Sequence, residues 1–132
     1  MKNIGVFAVI QKENKILLEK RNYGNFGWTL PGGSVEKNEK ITEALKREVM
    51  EETNQEINVE KYILTSYDIE KYSIALIYKC KIINESKIKF NNTELSEVKW
   101  ININEINKML TKRQQTWVDY ALNNLNGVLE IW

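Results

Sequence analysis

Glu48, Glu51 and Glu52 stand at i, i+3 and i+4, so on a helix the Glu51 and Glu52 carboxylates lie roughly 40–60° to either side of Glu48 around the axis. Like charges at these spacings destabilise a helix by roughly 0.2–0.5 kcal/mol per pair. Two favourable i, i+4 pairs, Glu43–Arg47 and Arg47–Glu51, offset part of that cost. Glu48 and Glu52 have no such partner, because positions 44, 45, 55 and 56 are Ala, Leu, Gln and Glu. Glu48 also continues the apolar stripe of Ile41, Ala44 and Leu45, which turns it toward the body of the protein. A half-buried carboxylate without a basic partner is costly, and a divalent cation removes the repulsion. With no histidine and a single cysteine, Cys80, the available ligands are hard oxygens. These select Mg²⁺, or Mn²⁺ in its place, over zinc. The competing reading is a glutamate-rich helix face in water, and the three residues alone leave both open.

Upstream, Pro31-Gly32-Gly33 lets the backbone turn sharply and approach a ligand closely, since no side chain intervenes. A carbonyl there can supply a further hard oxygen; a plain strand-to-helix turn is the alternative. Residues 36–60 carry a local charge of −4 in a chain whose net charge is +1. The overall balance has no nucleic-acid or membrane signature, so no stable nucleic-acid complex is expected. Cys80 has no disulfide partner and lies in the apolar run Ser73–Ile83, where a buried structural thiol is expected. No stretch reaches the roughly 18 apolar residues of a membrane span, and no signal-peptide pattern opens the chain, so a cytoplasmic location is expected.

At 132 residues, with no linker or repeat, the chain is expected to form one domain over 1–132. Apolar patterning predicts strands over Asn3–Gln11 and Lys15–Arg21, joined as a hairpin at Glu13-Asn14. A loop, 22–27, then leads to a short extended piece at Trp28–Leu30. Asn38 is the expected N-cap of a helix from about Glu39 to Thr53, and Asn54 its left-handed terminus. Strands are expected near Ile57–Tyr67, Ser73–Ile83, Lys87–Phe90 and Glu97–Ile101. Helices are expected over Asn104–Leu110 and Gln114–Leu125, the second with Trp117, Ala121 and Leu125 on one face. Strands on both sides of a central helix predict an α/β fold, an α/β/α sandwich around a mixed sheet.

Gly33-x5-Glu39-x7-Arg47-Glu48-Val49-x-Glu51-Glu52 resembles the Nudix box, G-x5-E-x7-R-E-U-x-E-E-x-G-U, where U is a bulky aliphatic residue. Seven of the nine specified positions match, with both long spacings intact. Trp28-Thr29-Leu30-Pro31-Gly32-Gly33 and Val35-Glu36 look like the family's lead-in. The box depart at its end, where glycine is Asn54 and the last aliphatic residue is Gln55. Asn54 tolerates the left-handed conformation that glycine serves, and Ile57 is expected to take over the apolar contact.

The resemblance implies a Nudix fold and Mg²⁺-dependent hydrolysis of a nucleoside diphosphate-linked substrate at a P–O–P bond. It implies that Glu48, Glu51 and Glu52 hold the metal, with a carbonyl of Gly32-Gly33 as a further ligand. One of these glutamates, or a more distant one, orients or deprotonates the attacking water. Arg47 is implied to be structural, held by Glu39 or Glu43. A distal metal-linked glutamate is expected upstream of Trp100, with Glu94 preferred over Glu97. Arg21 is a candidate phosphate contact, and Tyr23, Phe26 and Trp28 are candidates for a base-stacking surface. Tyr72 stands near where dinucleoside-polyphosphate-cleaving members carry a tyrosine. The proline that ADP-ribose-cleaving members often carry after the box is absent, which leaves nucleoside triphosphates ahead. The alternatives are a nucleotide-binding regulatory module without activity and an isomerase acting on a prenyl diphosphate. The fold commonly dimerises, so a homodimer is a further expectation.

Overall fold

The computed structural model describes residues 3–22 and 27–131. The first apolar run forms β1 (Asn3–Lys12), which turns into β2 (Lys15–Arg21). The hairpin pairs only at its tip, through Gln11–Ile16 and Lys12–Lys15. Beyond that the two strands diverge to different neighbours. β1 runs parallel to β6 (Ser73–Asn84) from Asn3–Ser73 to Ile10–Cys80, and antiparallel to the short β4 (Gly32–Ser34). β2 is flanked by β3 (Trp28–Thr29) and β7 (Leu95–Asn102), both antiparallel. β5 (Glu56–Asp68) pairs antiparallel with β6 and parallel with β8 (Gly127–Ile131). The result is a mixed sheet in the order β3-β2-β1-β6-β5-β8, with β4 on β1 and β7 on β2.

Alternation along β1 divides the core in two. Val6, Ala8 and Ile10 pack with Leu17 and Ile57 against α1 (Ile41–Thr53), through Ala44, Leu45 and Val49. Val9 packs on the opposite face with Ile16, Leu18, Leu30 and Ile63, against Trp117, Val118 and Ala121 of α2 (Lys112–Leu122). Helices on both faces cover a sheet whose central strands are buried on both sides, as parallel pairing requires. The expected α/β/α sandwich is therefore the architecture.

Several boundaries differ from the sequence expectation. Helix α1 begins at Ile41, with Lys40 rather than Asn38 at its N-cap. Asn38 instead takes a left-handed turn conformation, φ 67°. The turn is closed by the Glu36 amide donating to the Glu39 carboxylate, a bond that removes Glu39 from the helix. Asn54 does end the helix in the left-handed conformation, φ 62° and ψ 27°, and its amide donates to the Lys87 carbonyl at 2.9 Å. Lys87–Phe90 is not a strand. Its polar backbone is satisfied by side chains and by Thr53, whose carbonyl accepts from Lys89. The 104–110 segment is a 3₁₀ helix over Ile103–Lys108. Helix α2 starts on a Thr111 cap and stops at Leu122, leaving Leu125 half exposed outside it. The closing strand β8 was not expected at all, because a five-residue edge strand exists only by pairing with β5.

Gln55, which replaces an aliphatic residue of the box, is buried at 1% exposure. Its amide nitrogen donates to the Ser86 carbonyl at 2.7 Å and its oxygen accepts from the Ser86 amide at 3.1 Å. Ile57 is buried beside it in the α1-side core. The Gln55 side chain thus pins the irregular segment after β6 to the end of α1. Gln55→Ala would leave both Ser86 backbone groups without this partner. The variant is expected to lose about 1–3 kcal/mol of stability, measured as a lower urea midpoint at unchanged m-value.

Candidate active site

The turn into α1 brings backbone unusually close to its neighbours. A Cβ on Gly32 would lie 2.1 Å from the Val6 carbonyl oxygen, so β4 can pair with β1 only because that atom is missing. A Cβ on Gly33 would lie 2.6 Å from Glu48 Cδ. The Glu48 carboxylate is thereby seated directly on the β4 backbone. One turn further along α1, Glu52 Oε1 accepts a hydrogen bond from the Gly32 amide at 2.9 Å. The Gly32 carbonyl accepts from Arg21 Nη2 at 3.2 Å. Gly32 therefore joins α1 to the end of β2.

Arg47 organises the other side. Its Nε and Nη2 donate to the two Glu39 oxygens at 2.7 and 3.0 Å, and Nη2 also donates to the Ser34 carbonyl at 3.1 Å. Its Nη1 donates to Glu48 at 3.0 Å and approaches Glu51 at 3.4 Å. Glu39 lowers its own pKa by this pairing with Arg47, while the Arg47 pKa is raised. The pairing corrects one inference from spacing: Glu48 does have a basic partner, the adjacent Arg47. Position 43 was an equal candidate to hold Arg47, and Glu39 is the residue that does so in bidentate fashion.

The strongest electrostatic feature involves a residue that spacing did not single out. Glu19 on β2 is completely buried, and its carboxyl is within hydrogen-bonding reach of Glu52. Both groups are pushed well above the ordinary carboxylate range, first by burial, and for Glu52 next by the charge of Glu19. Arg21 Nε, 3.5 Å from Glu19, opposes the shift. Glu48 is raised too, by burial and against the pull of Arg47. The sequence carried a signal for Glu19. It shares strand parity with Leu17, so a carboxylate occupies a core-facing position.

Not every expected residue joins this cluster. Glu51 points to the exposed side, at 58% side-chain exposure, toward Arg47. Glu94 lies in an exposed turn entering β7, where its backbone carbonyl accepts from the Asn22 amide at 2.8 Å. Glu97 pairs with Lys99 at 2.8 Å. Trp28 packs partly buried against the α2-side core. Tyr23 and Phe26 lie outside the described residues. Among the described residues no three acidic side chains converge on one point, while Arg47 draws Glu51 outward. The donors are nonetheless all hard oxygens, and Glu19 is a buried carboxylate with Arg21 Nε at 3.5 Å and no hydrogen-bond donor in ordinary geometry among the described residues. That chemistry fits a hard divalent cation.

Beside the cluster opens a cleft of about 380 Å³, lined among others by Phe7, Arg21, Gly33, Asp68, Arg113 and Trp117. Arg113 Nη1 donates to Asp68 at 2.8 Å. Asp68 also accepts from the Lys71 and Glu70 amides at 3.0 and 3.1 Å, and the Lys71 amide bond leads the causes that lower its pKa. Ser66 Oγ and Trp117 Nε1 are buried in the cleft wall without a hydrogen-bond partner among the described residues. Asp68 and Arg113 meet only through the fold, 45 residues apart.

The family model for the NUDIX domain matches residues 1–121. An RNA pyrophosphohydrolase of Pelagibacter ubique is 33% identical, over 93% of this chain and 85% of its own length. An ADP-ribose pyrophosphatase of Methanocaldococcus jannaschii is 29% identical, over 89% of this chain and 72% of its own. A solved NUDIX hydrolase from Nitrosomonas europaea superposes with a TM-score of 0.81 at 21% identity, covering 97% of this chain and 78% of that one.

The Glu19–Glu52 repulsion has a measurable consequence without any cation. Each carboxyl is raised above its ordinary value of 4.5, so the fold retains protons that the unfolded chain releases. Stability from this pair is therefore present near pH 4.5 and below, and falls as pH rises above it. Glu52→Gln removes the charge. In chelator, this variant is expected to match the parent near pH 4.5 and exceed it by about 1–3 kcal/mol at pH 8, read from urea unfolding at both pH values.

Proposed function

Since this chain belongs to the Nudix family, we propose that it hydrolyses a nucleoside polyphosphate at a P–O–P bond with the help of Mg²⁺. One observation carries the reading: Gly33 both seats the Glu48 carboxylate and lines the cleft, so the acidic cluster and the space for substrate are contiguous. Glu48 and Glu52 would hold the ion, with Glu51, Glu94 and a carbonyl of Gly32-Gly33 as the further ligands that the resemblance implies. When bound, Mg²⁺ neutralises phosphate oxygens and lowers the pKa of a coordinated water. Mn²⁺ is the expected substitute.

The chain's own residues supply positioning. Arg47, locked by Glu39 and Ser34, fixes the helix turn that carries Glu48 and Glu51. Arg21, tied to the Gly32 carbonyl and lining the cleft, would bind a phosphate oxygen. A glutamate of the cluster takes the proton of the attacking water. Water oxygen bonds to phosphorus as the bond from phosphorus to the bridging oxygen breaks. The Asp68–Arg113 pair and the Phe7–Trp117 wall, with ring centroids 5.4 Å apart, line the space for the nucleoside end.

Nucleoside triphosphates are the first substrate class. The likeness to an RNA pyrophosphohydrolase favours a second, the 5′-triphosphate end of an RNA. No helix among the described residues is long and apolar enough to cross a membrane. A panel of nucleoside triphosphates, a 5′-triphosphorylated oligoribonucleotide, dinucleoside polyphosphates, ADP-ribose and nucleotide sugars, assayed with Mg²⁺, separates these classes by released phosphate or pyrophosphate. Binding without cleavage of any member would favour the regulatory module instead.

Two variants test the geometry. Glu52→Gln is expected to lower kcat by about 10²–10⁴-fold while the circular dichroism spectrum is unchanged. Gly33→Ala is expected to fold, because Glu48 can swing its carboxylate aside, yet to lose about 10²-fold in kcat through that displacement. Parent-like turnover by both variants would sink the assignment.

A further inference from the structure

We infer that Glu19, on β2 and outside the glutamate-rich helix, is a member of the cation-holding set together with Glu48 and Glu52. The inference rests on the hydrolase reading above. Glu19 is 0% exposed, and neither of its oxygens accepts a hydrogen bond from an N–H or hydroxyl among the described residues. Other buried polar side chains on this face are matched: Gln55 holds Ser86, and Thr53 donates to the Val49 carbonyl. A fully buried carboxylate set against another carboxylate, with one arginine nitrogen at 3.5 Å, is a costly arrangement for a fold to retain. Glutamine at the same place would keep the packing and add a donor for Glu52.

Strand pairing prevents Glu19 from relaxing away. It sits opposite Thr29 on one side and Val98 on the other, so the carboxylate cannot reach solvent without breaking a ladder. The groups it meets are Glu52, the charge of Glu48, and Arg21 Nε at 3.5 Å. Arg21 is shared with the Gly32 carbonyl and with the cleft, and it does not complete the coordination of two acids. A divalent cation among these oxygens would offset the negative charge that Glu19, Glu48 and Glu52 hold in excess of Arg21, Arg47 and the Gly32 amide. Glu19 thus acts toward the ion either directly or by orienting Glu52, and in both cases its charge is what matters.

The test uses the full chain and Mn²⁺ as the probe, with affinity measured by electron paramagnetic resonance of the free ion. Thermal unfolding with and without Mg²⁺ provides the second readout. Glu19→Gln is expected to weaken Mn²⁺ at least tenfold and to shrink the Mg²⁺-induced rise in Tm. Its Tm in chelator should equal or exceed that of the parent. Glu19→Asp, which keeps the charge, should recover part of the affinity, and Glu97→Gln on the neighbouring strand should bind like the parent. Unaltered Mn²⁺ affinity in Glu19→Gln overturns the inference while leaving the hydrolase reading intact. Equal losses in the Asp and Gln variants, or a lower Tm in chelator for Gln, assign a structural role and also overturn it. A parent protein that binds no Mn²⁺ overturns both readings.

Discussion

Concentrating Glu19, Glu48 and Glu52 in one partly buried region costs electrostatic energy that the fold must contain, and the surrounding structure is arranged to contain it. Arg47 takes charge from one side, tied to Glu39 and to the Ser34 carbonyl so that it cannot swing away. The Gly32 amide supplies a donor to Glu52, and Arg21 lies near Glu19. What remains uncompensated is the contact between Glu19 and Glu52, which burial pushes toward protonation. That excess of like charge is the observation on which the proposed cation site rests.

Glycine makes that concentration possible in three dimensions. β4 can pair with β1 only because nothing projects from Gly32, and Glu48 can rest on the backbone only because nothing projects from Gly33. Placing α1 this close to the sheet also sets the Glu48 carboxylate against Gly33, which lines the cleft together with Arg21, Asp68 and Arg113. Strand pairing and carboxylate placement are therefore coupled at the same two residues. The helix behind them is anchored at its far end by a separate device, Asn54 and Gln55, whose amides bond the 86–87 backbone.

Much of this was readable from residue order because it is local. Helical spacing placed Glu48, Glu51 and Glu52 on one side of α1, and Asn54 marked its end with a left-handed residue. The strands β1, β2, β5 and β6 followed from apolar runs whose burial on both faces leaves little polar alternation. Local reasoning failed where a distant partner decides the outcome. Asn38 yielded the cap to Lys40 because Glu39 is engaged by Glu36 and Arg47, and Lys87–Phe90 stays irregular because Asn54 and Thr53 bond its backbone.

Sequence by itself determined the chemistry that the chain can offer: hard oxygen ligands, an arginine at fixed spacing to bind them, and glycines that permit close approach. These are properties of residue type and short-range geometry, which the chain carries whether folded or not. Only the tertiary structure decided which charges meet. It set Glu19 of β2 against Glu52 of α1, joined Asp68 to Arg113, and left Glu51 and Glu94 on exposed ground. The physical reason is that electrostatic energy depends on distance and burial, and neither is defined until strands far apart in sequence pair side by side.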